Sequence, residues 1–197
     1  MIKKYLGDRR FWGITGRLAL PIAFQNLLMS SFALVDRLMV SSLGDVSLAA
    51  VGMAGQVNWL MSMLLFGFCS GSSIFISQYW GIKDTKTIYK VFGLLFSFTL
   101  GISAVFFCIA RFSPTVILNL FSDNAEVTAE GVKYLVIACF AYPATAVTQS
   151  FSTLLRSTEN VKLPMYVTLF ATILNAVLNY GLIFGKFGLP ELGVRGA

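Results

Sequence analysis

Histidine does not occur among the 197 residues. Its absence removes the usual nitrogen ligand for metals and the side chain that ordinarily titrates near neutral pH. Any proton carrier in the chain is therefore a carboxylate. Cysteine is scarce as well, at 3 residues. Cys69, Cys108 and Cys139 all fall inside apolar segments, where cysteine behaves as a small hydrophobe, and no pairing of them suits a disulfide framework or metal site. Charge is the third shortage. Only 12% of residues are Asp, Glu, Lys or Arg, about half the usual share of a soluble domain. The net charge of +6 raises nucleic acid as a partner, but the basic residues lie between apolar runs rather than in a patch interleaved with aromatics. No nucleic-acid partner is expected. The sequence also offers no metal-ligand cluster, nucleophile–base pair or phosphate-cradling loop, so neither an enzymatic reaction nor a resident cofactor is expected.

What the chain has is apolar length. Hydrophobic residues make up 56% of it and the mean hydropathy is +0.76. Runs at about 18–40, 48–76, 91–110, 132–155 and 163–184 each read as a transmembrane helix. A span needs about 20 apolar residues to cross a hydrocarbon core of about 30 Å at about 1.5 Å per residue. The expected fold class is an all-α polytopic membrane protein: five transmembrane helices and the start of a sixth near 193. The lipid bilayer is then its first partner.

Residues 1–17 mix Lys3, Lys4, Asp8, Arg9 and Arg10 with Tyr5, Phe11 and Trp12, the pattern of an interfacial amphipathic segment. Residues 18–197 form the transmembrane unit. With the amino terminus inside, Lys3, Lys4, Arg9, Arg10, Arg17, Lys83, Lys86, Lys90, Arg156 and Lys162 are internal. That is ten of the 15 basic residues, which satisfies the positive-inside rule. The expected location is the cell membrane, with a cytoplasmic amino terminus. Residues 186–197 read as a loop and an unfinished helix, so the chain is expected to be an amino-terminal fragment.

Against this apolar background Asp36 stands out, near the outer end of the first span. A carboxylate inside a span costs roughly 2.5–3.5 kcal/mol on insertion scales, so it usually faces a bundle interior and has a function. A helical repeat places Gln25, Met29, Phe32 and Asp36 along roughly one face, and Pro21 can bend or loosen the inner half of that helix. The fifth run carries Thr168, Thr172, Asn175 and Asn179 at spacings that make one polar stripe. Two carboxamides on one face suit a carboxylate, a bound cation or ordered water. They serve equally well as plain interhelical glue. Asp36, similarly, would be an interfacial residue in the bland interpretation. In the fourth run, Tyr134, Thr145 and Gln149 share a broad face, Arg156 marks the cytoplasmic end, and Pro143 lies in the interior. Phenylalanines surround the third run, as lipid contact and packing require.

Several of these features together resemble the multidrug and toxic compound extrusion (MATE) family of secondary transporters. The resemblance rests on Leu20-Pro21 upstream of Leu34-Val35-Asp36, on Leu43-Gly44 followed by Leu48-Ala49-Ala50-Val51-Gly52, and on Gln78-Tyr79-Trp80-Gly81 with Lys83-Asp84. It continues through Leu154-Leu155-Arg156-Ser157-Thr158-Glu159, Leu163-Pro164-Met165, Asn175 to Asn179, and the run 184–197. It implies one lobe of a protein of roughly twelve helices built as two parallel repeats. The second six-helix lobe, missing here, would be a partner. The implied activity is antiport that exports amphipathic organic cations in exchange for protons or sodium. By resemblance Asp36 is the cation-coupling residue, with sodium possible there. Gln149, Asn175, Asn179, Thr172, Tyr134 and Gln25 are neighbours in the cavity. Some relatives carry a second acid where Asn179 stands, so this site has one acid instead of two. The alternatives are a lipid-linked oligosaccharide flippase, whose cationic cavities find no mid-membrane arginine in these stripes, and a non-transporting truncated membrane module.

The charge distribution makes a direct prediction. A cysteine introduced as Ser122→Cys or Asp123→Cys reacts with a membrane-impermeant thiol reagent on intact cells. Reaction only after permeabilisation would reverse the orientation.

Overall fold

The computed structural model describes residues 9–42, 44–121, 124–186 and 188. Seven helices follow in order: α1 (Arg9–Ser41), α2 (Asp45–Gly81), α3 (Thr85–Phe112), α4 (Pro114–Leu118), α5 (Ala125–Ala138), α6 (Ala141–Ser157) and α7 (Lys162–Phe184). No strand occurs among the described residues. Four of these helices are long and apolar enough to cross a membrane, and there are five spans if the bent pair α5–α6 counts as one. The chain is an all-α, multi-pass membrane protein.

Two features differ from the sequence-based expectation. Residues 9–17 do not form a separate interfacial helix but belong to α1, which runs unbroken from Arg9. No proline precedes Pro21, and the helix continues through Pro21 itself. The fourth run, expected as one helix at 132–155, is two helices bent by 54°. It starts early because the side chain of Asn124 accepts from the backbone N–H groups of Glu126 and Val127 at 3.0 and 3.4 Å, a regular helix cap. It breaks at Cys139–Phe140 because Pro143 has no N–H to give the Cys139 carbonyl, and its ring crowds that carbonyl. The Cys139 carbonyl accepts from Tyr142 N at 3.0 Å instead. Residues 1–8 of the expected interfacial segment, the loop residues Ser122 and Asp123, and the sixth-helix start near 193 lie outside the described residues.

Turn chemistry fixes the other ends. Asp84 caps α3, accepting from Thr87 N at 3.1 Å and from the Thr87 hydroxyl at 2.6 Å. Those bonds, the hydroxyl's first, hold its carboxyl below the ordinary value. Pro114 opens α4, where a missing N–H costs nothing. Gly185 ends α7 in the left-handed region at φ 64°, a conformation that penalises a Cβ. At 37 residues, α2 reaches about 55 Å, well beyond a core of about 30 Å, so its ends extend past the hydrocarbon.

Packing divides the helices into two groups. α2 lies against α3, α5 and α6, and α3 also against α6, whereas α1 packs chiefly on α7. The first group encloses a core of Val57, Met61 and Leu65 with Leu118, Leu135 and Tyr142. Aromatic rings tie α3 into it: Phe92 meets Phe151 of α6 edge-on at 5.1 Å, and Phe68 of α2 stacks on Phe98 at 5.3 Å. A buried hydrogen bond of 2.8 Å joins the Thr99 and Ser150 hydroxyls. By contrast Leu20, Leu94, Val105 and Phe170 are exposed, as lipid-facing side chains are.

Helix α5 packs against Ala50 of α2 at Gly131. A Cβ there would lie 3.1 Å from the Leu118 side chain and 3.5 Å from the Ala50 carbonyl. Small residues permit such crossings in membranes. Gly131→Ala should be absorbed by a shift of the flexible Leu118 side chain. Gly131→Ile should cost about 1–3 kcal/mol through overpacking, seen as a lower unfolding temperature of the purified protein.

Candidate functional site

The carboxyl-terminal parts of α1 and α7 bring one acid and two amides together. Asn179 is buried, and its Nδ2 donates to Asp36 Oδ1 at 3.1 Å across 143 residues of sequence. The same nitrogen donates to Asn175 Oδ1 at 3.3 Å, and Asn175 Nδ2 returns a long bond of 3.5 Å to Asn179 Oδ1. The four-residue spacing on one helix makes this amide pair possible. Asp36 itself is half-buried. No Lys or Arg forms an ion pair with it among the described residues, where the one salt bridge joins Lys133 to Glu130 at 2.6 Å. Arg37, its neighbour in sequence, is exposed on another face. The carboxylate is thus held by dipoles and its charge is not cancelled by a fixed cation. Tyr134, half-buried on α5, lies within electrostatic reach of it.

The structure does not bring the remaining candidates to this place. Gln25 stands eleven residues before Asp36, about 16 Å away along a helix axis. It is buried near the middle of α1, where Nε2 donates to the Thr168 hydroxyl at 2.6 Å and more weakly to the Pro164 carbonyl at 3.5 Å. Its Oε1 accepts from Arg156 Nη2 at 2.8 Å. Thr172 turns its hydroxyl back onto the Thr168 carbonyl at 2.6 Å, the local bond that threonine makes inside a helix. Gln149 lines a cleft between α2 and α6. The reason is axial distance: a shared helix face aligns side chains in direction, not in depth. Pro21 lies within α1 near this junction, one turn from Gln25.

A second polar centre, Gln25–Arg156–Thr168, was therefore not anticipated. Arg156 had the appearance of an end marker. The available signal was its spacing from Gln149 and Ser152, which puts all three on one side of α6. Nothing in the sequence pairs Gln25 with either Arg156 or Thr168. No group of His, Cys, Asp or Glu able to hold a metal occurs among the described residues. A monovalent cation at Asp36 would take its carboxylate oxygens and, after amide rotation, the oxygens of Asn175 and Asn179.

A family model described as MatE matches residues 21–181. A protein called probable multidrug resistance protein NorM, from Thermotoga maritima, is 28% identical over 182 residues, which is 92% of this chain and 39% of that protein. A probable multidrug resistance protein YoeA from Bacillus subtilis is 30% identical over 187 residues, 94% of this chain and 40% of the relative. The chain thus spans about two fifths of the length of these relatives. In three dimensions it is similar to a solved MOP superfamily transporter from Pyrococcus furiosus, with a TM-score of 0.82 over 93% of this chain and 40% of that one, at 21% identity.

If Asp36 and Asn179 act as one unit, Asp36→Asn and Asn179→Ala are strongly non-additive in ion-dependent transport. The double variant then loses little more than Asp36→Asn alone. Additive losses with unchanged ion dependence would assign the amides to helix joining.

Proposed function

The chain belongs to the MatE family, and from that membership we propose that it works in a secondary antiporter that exports amphipathic organic cations in exchange for protons or sodium. Asp36 is the coupling group in this proposal. The observation that carries it is a carboxylate inside a membrane span, held by the amide of Asn179 and paired with no cation among the described residues. Such a group costs too much to keep in a membrane for packing alone. It has the chemistry to load and release a cation.

Each coupling ion would use the site differently. A proton bonds one carboxylate oxygen and removes the charge, while Asn179 still finds an acceptor on the other. Sodium needs several oxygens, which Asp36 and the two amide carbonyls supply together. In both cases the ion competes with a cationic substrate for one negative charge, the basis of exchange. Asn175 and Asn179 orient the carboxylate, and Tyr134 flanks it. Alternation of access requires a second lobe, and the names and lengths of the relatives support one. In this reading the protein lies in the cell membrane with its amino terminus in the cytoplasm, the orientation that its charge distribution favours.

The test is efflux of an organic cation from vesicles under separately imposed pH and sodium gradients, at matched protein levels in the complete transporter. Asp36→Asn, nearly isosteric but unable to exchange a proton, should insert normally and lose gradient-driven efflux. Parent activity driven by pH alone identifies the proton, and by sodium alone the metal ion. A variant that pumps as well as its parent makes Asp36 structural.

A further inference from the structure

The inner half of the molecule contains a cleft of about 330 Å³ between α2 and α6. Its wall is unusual for a membrane protein. Ser70 and Ser77 of α2 face Gln149, Ser152, Arg156 and Ser157 of α6. Several serine and threonine hydroxyls in these helices bond back to their own backbone, as Ser97, Ser103, Thr145 and Thr148 do. Two of the cleft hydroxyls, Ser73 and Thr153, do the same. The side-chain hydroxyls of Ser70, Ser77, Ser152 and Ser157 make no hydrogen bond among the described residues. Ser70 and Ser77 are exposed and Ser152 and Ser157 half-buried, so their hydroxyls stand open to a ligand that enters the cleft.

Arg156 is the charged group in this wall. Of its five donors, Nη2 is taken by Gln25 Oε1, a neutral acceptor, and Nε is enclosed without a partner. No carboxylate pairs with it among the described residues. Glu159, the nearest acid in sequence, lines a different cleft with Arg17 and Lys162. Lys83, Lys86 and Lys90 are exposed around the α2–α3 turn, at the same end of α2 as Ser77. The cleft therefore combines a guanidinium that no carboxylate compensates with serine hydroxyls from two helices.

From this arrangement we infer that the α2–α6 cleft binds a phosphate oxyanion, with Arg156 as the charge partner and Ser70, Ser77, Ser152 and Ser157 as surrounding donors. A carboxylate offers two oxygens, which one guanidinium fork satisfies. A phosphate offers more acceptors, spread tetrahedrally, and matches donors arriving from two helices. Basic pockets between helices at a cytoplasmic surface suit anionic headgroups, so a phospholipid of the inner leaflet is the available source. A soluble phosphate reaching the cleft from the cytoplasm carries the same chemistry. The inference is independent of Asp36, which lies at the opposite end of α1.

The experiment uses the intact protein purified in a neutral detergent. Phosphatidylglycerol and, separately, inorganic phosphate are titrated in, and bound lipid is counted by native mass spectrometry, with phosphatidylcholine as the neutral control. Parent protein should retain phosphatidylglycerol over phosphatidylcholine. Arg156→Gln should weaken that retention at least tenfold, and the milder double variant Ser70→Ala/Ser152→Ala several-fold. The double variant leaves the Arg156–Gln25 bond intact, so it reports even if Arg156→Gln fails to fold. If millimolar inorganic phosphate displaces the lipid or binds in its place, and the same variants abolish this, the oxyanion site stands and its ligand is soluble. Equal retention of both lipids, or phosphatidylglycerol binding unchanged in the double variant, overturns the inference.

Discussion

The hydrocarbon layer supplies no water, so a polar side chain inside it is satisfied by protein or pays the full cost of desolvation. Everything distinctive in this structure follows from that constraint. The helices satisfy their own backbones, and their apolar side chains dissolve in lipid as readily as in a core. What remains to be arranged is a small set of polar groups. They gather at two depths, Asp36–Asn179–Asn175 near one end of the α1–α7 pair and Gln25–Arg156–Thr168 near the other. Association of helices within a membrane gains little from hydrophobicity itself. These junctions, with small-residue crossings such as Ala50–Gly131, therefore define which helices meet.

The sequence revealed much of the fold because membrane insertion leaves a plain record in composition. Runs of apolar residues gave the spans, and the limits of the fifth run agree with α7 to within a residue. The break between α5 and α6 was less legible, although Pro143 was visible as its cause. A proline in a membrane helix can be absorbed, as Pro21 is in α1, or can divide the helix, as Pro143 does. The difference lies in whether neighbouring groups accommodate the freed carbonyl, which no local pattern encodes.

At the candidate site the balance is similar. Asp36 and Asn179 could be singled out because each is expensive in a span, and the i, i+4 spacing of Asn175 and Asn179 is a local geometric fact. That Gln25 belongs to another cluster depends on depth in the membrane and on a partner 131 residues away. Periodicity reports direction around an axis and is silent on what stands opposite. Gln149 illustrates the same limit, since the family resemblance led toward Asp36 while its position along α6 leads to the α2 cleft.

The pairing of α1 with α7 has a consequence for biogenesis. Both polar junctions that involve α1 close onto a helix 143 residues further along. At a synthesis rate of about 5–20 residues per second, α1 waits roughly 7–30 s for that partner to emerge. During this interval Gln25 and Asp36 lie in or beside the bilayer without the groups that later satisfy them. The polar face of α1 is therefore completed only after α7 has been made. Insertion machinery or lipid headgroups must shelter its polar face until α7 arrives, which makes this pair the step at which assembly of the lobe is most exposed to quality control.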